Sequence, residues 1–493
     1  MKNSLCATTR KTPAEKSLRV FRARLVWAAS VMLAIAVCGC TVGPKYVRPT
    51  AEVPSDFKDA GQWKAAQPSD AIAKGKWWEI FQDQQLNTLE EQVIVSNQSL
   101  KAEEAQYAQA RAALKIVRSN YYPMITGSVA GERYHQSSNR AIGGSTINYS
   151  DISIPVDAVY EPDLWGRVRR LAEAQASELQ ATAADLANVQ LSLQAELALD
   201  YFNLRGLDAQ KNLLDSTVDS YEKALELTQS RFQGGIATAV DVAQAETQLQ
   251  TTRARSIDLG VQRAAFEDAI AVLIGQPAPN FHVEPLPLTE NPPVVPPGLP
   301  SALLERRPDI AAAERRVQEA NAKIGVARSA YFPLVSLNAG GGFESGAIGT
   351  LLQGPSGLFS LGGQAAETLF EGGARRGATQ QAIAARDQSI ALYRETVLTA
   401  FQEVEDNLAV LRILQDETQT QVAAVASAER SLNLSLTRYQ GGVTNYLEVT
   451  TAQTAALSDE ITAVDLLTRR VAASVLLVKA LGGGWDVTKL PPQ

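Results

Sequence analysis

Few residues of this 493-residue chain are equipped for bond-making chemistry. Its two histidines, His135 and His282, lie far apart, and its three cysteines, Cys6, Cys38 and Cys40, all fall within the first forty residues. A zinc site needs clustered ligands and a disulfide framework needs cysteines spread through the fold, so the composition excludes both. The run Gly340-Gly341-Gly342 falls inside a predicted strand and opens no helix, which removes it as a dinucleotide fingerprint. Without a nucleophile motif, metal spacing or phosphate loop, the chain is read as a non-enzyme with no metal and no cofactor. A formal charge of −7 argues against nucleic-acid binding through phosphates. Hydrophobic residues at 45% and charged residues at 20% exclude a disordered chain and a polytopic helical membrane protein alike.

The side chain placed for covalent chemistry is Cys40. Seven basic residues up to Arg24 are opposed only by Glu15, and the 13-residue run Leu25 to Val37, apolar but for Ser30, leads into Cys38-Gly39-Cys40. Thirteen helical residues reach about 20 Å, short of the ~30 Å hydrocarbon core, so residues 1–39 read as a cleaved export signal. Val37-Cys38-Gly39-Cys40 resembles a bacterial lipobox, in which Cys40 would become the acylated N-terminus. Several acyl chains anchor firmly where one anchors marginally. An ordinary soluble export signal with incidental cysteines is the alternative, although no cysteine follows Cys40. Thr41 in place of aspartate suggests, by resemblance to other lipoproteins, delivery to the outer membrane. Losing residues 1–39 removes seven basic and one acidic residue and leaves a mature charge of −13.

The elements that would carry such an anchor are written twice. Leu114 to Pro123 matches Ile324 to Pro333 at an offset of 210, as Asn97-Gln-Ser-Leu100 corresponds to Arg307-Pro-Asp-Ile310. Arg231-Phe-Gln-Gly-Gly-Ile236 matches Arg438-Tyr-Gln-Gly-Gly-Val443 at 207, and Gly275 and Gly482 close the two copies at the same offset. Motifs kept in order at nearly fixed spacing predict a tandem internal repeat. The division is an N-terminal extended or equatorial segment at 40–85, repeat one at 86–290, a Pro-rich linker at 291–302, repeat two at 303–485 and a tail at 486–493. No proline interrupts 163–276 or 356–490, and an interior proline costs a helix about 3 kcal/mol. Each window is rich in Ala, Gln, Leu and Glu and is broken by a Gly-Gly pair suited to a tight turn. Helices are therefore predicted at 167–232 and 239–274, then 375–439 and 446–481. The longer ones run about 100 Å, a length that suits a coiled-coil tube. A further helix of about 20 residues precedes each of Pro123 and Pro333.

Between the helices, 124–134 with 149–159 and 334–344 with 357–368 alternate in polarity and read as hairpins at 124–159 and 334–368. Such strands have the length that crosses a bilayer when tilted. Four strands cannot close a barrel and an open edge cannot face lipid, so several chains must share one; three would supply twelve strands. Tyr121, Tyr122, Tyr160, Trp165, Tyr331, Phe332 and Phe370 fall where strands meet helices, as an interfacial aromatic girdle would. Caps on an ordinary soluble core are the competing role for them.

Cys40-Thr-Val-Gly-Pro-Lys-Tyr46, Trp77-Trp78 with Phe81 and Leu86, Leu303 to Ile310, Arg438 to Val443 and Ala480-Leu-Gly-Gly-Gly-Trp485 together resemble the outer membrane factor family. These are the TolC-like, NodT/OprM-type lipoproteins of tripartite efflux systems. The resemblance covers essentially the whole mature chain. It implies an α+β membrane protein, a homotrimer whose 12-stranded β-barrel continues into a long periplasmic α-helical coiled-coil barrel. It further implies a periplasmic adaptor and an inner-membrane transporter of the resistance-nodulation-division type docking at the tip, with the energy supplied by that transporter. The chain would be a passive exit duct for drugs or toxic small molecules. A duct of a type I protein or peptide secretion system is the alternative, and a purely structural coiled-coil lipoprotein would leave the paired hairpins unexplained.

Tip residues follow from the two turns: Arg231, Gly234, Gly235 and Asp241 at the first, and Arg438, Gly441, Gly442, Thr444 and Glu448 at the second. Arg231 and Arg438 are read as holding the hairpins together, with adaptor contact or gating as added duties. Asp241 and Glu448 complement helix N-termini and are also placed to ring an aperture. By resemblance an aspartate is expected just after the second turn, where this chain has Thr444, so the relatives' gate does not transfer directly. Arg307-Pro-Asp-Ile310 reads chiefly as a helix start, with Pro308 in the first turn and Asp309 favoured by the macrodipole.

Overall fold

The computed structural model describes residues 41–58, 76–135, 137, 148–288, 292–293, 295 and 300–492. The export signal and Cys40 lie outside these residues. In chain order the main elements are α1 (Gln84–Ser96), α2 (Gln98–Ser119), β1 (Met124–Gly127), β2 (Ala130–His135), β3 (Asn148–Tyr160), α3 (Arg167–Gln233) and α4 (Ala239–Leu273). There follow α5 (Leu303–Arg306), α6 (Pro308–Ser329), β4 (Leu334–Ser345), β5 (Gly357–Ala366), α7 (Ala374–Gln440) and α8 (Tyr446–Ala480). The helices α3 and α7 are 67 residues each, α4 and α8 are 35, and α2 and α6 are 22. They occupy the proline-free windows because nothing in those windows withholds an N–H or clashes with the preceding turn. The helix α1, which the 40–85 and 86–290 division did not distinguish, starts where Asp83 caps the amides of Gln85 and Leu86. Among the described residues no helix is both long and apolar enough to cross a membrane.

The largest core lies where α1, α3, α6, α7 and α8 pass one another. Trp77, Trp78, Phe81, Tyr201 and Phe202 fill it, with Trp77 edge-on to Trp78 at 6.0 Å and Phe81 4.9 Å from Phe202. A carboxyl without a partner breaks the apolar pattern. Glu90 shares the face of α1 formed by Leu86, Leu89 and Val93, is completely buried, and has no hydrogen-bond partner for either carboxyl oxygen. Burial alone holds its carboxyl well above the usual carboxylate range. In the unfolded chain Glu90 ionises at the ordinary pH while the folded chain keeps it protonated, so stability falls as pH rises through and above that range. Glu90→Gln is expected to flatten the melting temperature of detergent-extracted protein against pH from about 5 upward. An unchanged slope would assign the pH dependence to other groups.

The strands form one antiparallel sheet, with β1 and β2 both on β3, then β4, then β5. The first strand, expected as one piece over 124–134, is broken at Ser128–Val129. The break faces Pro155, which has no N–H to give to the ladder, and Ser128 N donates to the Pro155 carbonyl at 3.1 Å. The register sorts the two faces. Ile125, Ala158, Ala339 and Leu361 share one row, and Val156 and Phe359 the same side one pair further along, so this face is apolar over these rows and turns polar only at its far end, with Arg133, His135, Asn148 and Ser150. Thr126, Asp157, Gly340 and Ser360 form a row of the other face, which also carries Glu132, Asp151 and Glu344. Phe359 and Leu361 are 89% and 84% exposed in the single chain, the kind of apolar surface that marks a membrane or protein contact. The outer edges of β1–β2 and of β5 are unpaired among the described residues.

Candidate functional site

Two helical hairpins, α3–α4 and α7–α8, end side by side in turns of the same construction. Ile236 N donates to the Arg231 carbonyl at 2.8 Å and Val443 N to the Arg438 carbonyl at 2.9 Å, the long bond of a Schellman helix end. Only the second glycine of each pair needs its freedom. Gly235 and Gly442 have φ of +73° and +70°, while Gly234 and Gly441 remain right-handed.

The hairpins are tied to each other across these turns. Arg231 Nη1 donates to the Gln440 carbonyl at 2.9 Å, and its guanidinium lies 4.8 Å from the centre of the Tyr439 ring. Tyr439 meets Tyr446 edge-on at 5.2 Å, with Ala245 and Val449 completing a small core. Asp241 closes a capping box with Thr238 and accepts the Tyr446 N–H of the other hairpin at 3.1 Å. Burial would raise its pKa, but the bonds from the Thr238 amide and hydroxyl and from the Tyr446 amide outweigh burial and hold the carboxyl below its usual range. The Asp241 carboxylate, considered from sequence for an aperture, is therefore occupied inside the chain. Arg438 and Glu448 pair with each other at 2.7 Å, and the Thr444 hydroxyl donates to the same carboxylate. This second set is exposed, as are the neighbouring apolar side chains Phe232, Ile236, Val240, Val443 and Leu447.

At the other end of the helices, Trp165 stacks on Phe332 at 4.8 Å and gives its indole N–H to the Pro333 carbonyl at 2.8 Å. That pair thus clamps the start of α3 to the end of α6, and the Arg375 guanidinium covers Tyr331 at 5.5 Å. Tyr122 and Phe370 are largely exposed, whereas Tyr121, Tyr331 and Phe332 are each a little over a third to a half exposed, and Tyr160 is half-buried. The N-terminal segment reaches this junction. Val42 N donates to the Trp165 carbonyl at 3.1 Å, and a Cβ on Gly166 would come within 2.6 Å of Thr41. From there the segment runs along α6, where Asn321 holds the Pro44 carbonyl and Tyr46 donates to Glu314 at 2.7 Å. It continues to α7, where Lys58 N meets Glu405 at 2.6 Å.

This layout, one four-row sheet set on two long helical hairpins, has counterparts. The family profile described as outer membrane efflux protein matches residues 89–276 and 299–483. The chain belongs to that family. OprJ of Pseudomonas aeruginosa, an outer membrane protein, is 31% identical over 465 residues, covering 93% of this chain and 96% of that protein. CusC of Escherichia coli, a cation efflux system protein, is 28% identical over 459 residues, covering 92% and 98%. The solved outer-membrane channel OprN superposes with a TM-score of 0.85 at 28% identity, over 90% of this chain and 100% of that one. As an outer membrane efflux protein the chain is a component of the outer membrane's export channels.

Two clamps that position the efflux hairpins escaped sequence reasoning. Asn97, the N-cap of α2, gives its side-chain N–H to the Leu273 carbonyl at the end of α4, 2.7 Å away. Arg307, the N-cap of α6, does the same for the Ala480 carbonyl at the end of α8, at 3.0 Å, while pairing with Asp309 at 2.6 Å and Glu403 at 2.7 Å. The Arg307-Pro-Asp start thus docks the second hairpin as well as opening a helix. A third tie is the buried Asp208, which joins Arg205 at 3.3 Å and Arg263 at 2.8 Å and fixes the chain that leaves α4. His282 sits 2.8 Å from Glu267 at its edge, and His135 pairs with Asn148 at 2.6 Å at the far end of the sheet.

Proposed function

We propose that three copies of this chain form a passive exit duct. Twelve strands would close a barrel in the outer membrane, and the helices would continue it as a periplasmic tunnel. The observation that carries this reading is the sheet, which has one largely apolar and one polar face and, among the described residues, an unpaired edge on either side. A lipid-facing edge leaves backbone groups without partners, so the edges must meet further copies. The polar face would then line the lumen. Cys40 would carry the lipid anchor: residues 41 and 42 rest on Gly166 and Trp165, at the level of the proposed aromatic girdle. Loss of labelled palmitate in Cys40→Ser, with the channel still assembled, is the expected behaviour of that anchor.

The cargo is small and toxic or drug-like, delivered by an inner-membrane transporter of the resistance-nodulation-division type through a periplasmic adaptor. The exposed Phe232, Ile236, Val240, Val443 and Leu447 around the turns offer that adaptor an apolar landing site. The Arg438–Glu448 pair, exposed and unsupported by burial, is the part of the tip best suited to opening, whereas the Arg231 and Asp241 ties keep the hairpins of one chain together. Native mass measurement of detergent-extracted protein tests the assembly. Three chains are expected; a folded, membrane-inserted single chain would overturn it.

A further inference from the structure

The chain is acidic overall, yet the sign reverses where the helices meet the sheet. Arg118 ends α2 three residues before Tyr121, Arg328 ends α6 three residues before Tyr331, and Arg376 lies in the first turn of α7, six residues after Phe370. All three are exposed, and among the described residues their side chains make no ion pair or hydrogen bond. The acids at this level are already occupied. Glu161 grips Arg167 with bonds of 2.8 and 2.6 Å, Asp163 holds Arg169 and the first amides of α3, and Glu367 and Glu371 both hold Arg375, at 2.5 and 2.6 Å. Arg118, Arg328 and Arg376 therefore hold no acid directly, and with six arginines against four carboxylates the level stays net positive.

For Arg118 and Arg328, depth and direction can both be read. Arg118 and Arg328 stand in the last turn of their helices, just beneath the tyrosines of the turn that follows. On α6, Asn321 and Gly325 carry the N-terminal segment, with a Cβ on Gly43 falling 2.5 Å from Gly325 Cα. Arg328 lies seven residues after the first and three after the second, on the same helix face. That segment leads back to Cys40, so this is the face from which an N-terminal lipid would leave the protein. Arg118 holds the same place before Tyr121-Tyr122-Pro123 that Arg328 holds before Tyr331-Phe332-Pro333.

We infer that Arg118, Arg328 and Arg376 form a basic collar that binds the phosphates of anionic phospholipids in the leaflet bordering the helices. The inference rests on the reading of the sheet as membrane-spanning. Guanidinium matches a phosphate's oxygens with two parallel N–H donors, and the headgroup of phosphatidylglycerol, unlike that of phosphatidylethanolamine, has no ammonium of its own to compete for them. Each basic residue at an anionic surface favours such lipid by about five-fold.

The test uses full-length protein reconstituted in equimolar phosphatidylethanolamine and phosphatidylglycerol, re-extracted in detergent, with retained lipids weighed by native mass spectrometry. Phosphatidylglycerol is expected to be enriched at least about five-fold over the bulk ratio, falling toward that ratio in about 0.5 M salt. The triple variant Arg118→Gln, Arg328→Gln, Arg376→Gln is expected to lose the enrichment while remaining assembled on a native gel, and the corresponding triple lysine variant to keep most of it. Should the triple glutamine variant not assemble, Arg118→Gln and Arg376→Gln singly are each expected to lose part of it. A bulk lipid ratio on the wild type, or undiminished enrichment in the glutamine variants, overturns the collar and leaves the channel standing. Wild-type protein that enters no vesicle overturns both.

Discussion

Gly482→Ala is expected to abolish the assembled protein, and Gly275→Ala to come close to doing so. Gly482 closes α8 at a φ of +91°, and a Cβ there would stand 2.1 Å from the Arg306 carbonyl oxygen. Gly275 closes α4 at +70°, with its Cβ 2.4 Å from the Ser96 carbonyl oxygen. Both neighbours are backbone and cannot swing aside. The left-handed conformation costs a side chain roughly 1–2 kcal/mol and forced displacement of packed groups about 1–3 kcal/mol more, together a large share of a domain's margin. Gly234→Ala is the control: that glycine is right-handed and its nearest contact would be an ordinary 3.5 Å. The yield of heat-resistant oligomer in outer-membrane extracts reads the difference. Near-wild-type yield from Gly482→Ala would mean that the junction between α5 and α6 gives way more easily than its packing implies.

Arg307→Ala is expected to destabilise the second hairpin by about 3 kcal/mol, since removing one member of a buried charged set leaves the others unpaired. The Ala480 carbonyl would lose its partner at the end of α8, and Asp309 its bidentate cation. Glu403 is half exposed and contributes less. Lysine at this position would carry the charge but not the fork that reaches three partners, so Arg307→Lys is expected to recover only part of the loss. Arg438→Ala, which removes an exposed pair, is expected to change stability by only about 0–1 kcal/mol. Equal melting temperatures for Arg307→Ala and Arg438→Ala would reduce the Arg307 set to surface decoration.

Much of this fold was legible because prolines are absent where the helices run and paired glycines stand where they turn. The strands, too, show in their alternation of polarity. The clamps were legible only as positions. Asn97 and Arg307 correspond at a fixed offset, but an amide and a guanidinium do not look alike, and their shared partner, a carbonyl at a helix end, leaves no trace in sequence. Glu90 runs against the pattern outright: a carboxyl on the apolar face of α1 reads as solvent-facing until burial is known. At the tip, residue types pointed to Arg438 and Glu448 without pairing them, and gave no hint that Asp241 is spent on the Tyr446 amide. That distinction depends on which hairpin lies beside which, and sequence spacing is silent about it.

Single-channel recording across planar bilayers tests most directly whether this chain builds a conduit closed at its helical tip. The assembled wild type is expected to open discrete channels of low conductance that prefer cations, as the polar sheet face with Glu132, Asp151, Asp157 and Glu344 and, among the described residues, no basic residue would dictate. Arg438→Ala and Glu448→Ala, each removing one side of the 2.7 Å pair, are expected to raise that conductance with the oligomer intact. Unchanged conductance in both would leave these residues as turn stabilisers, and inserted oligomers that pass no current in any variant would contradict the conduit itself.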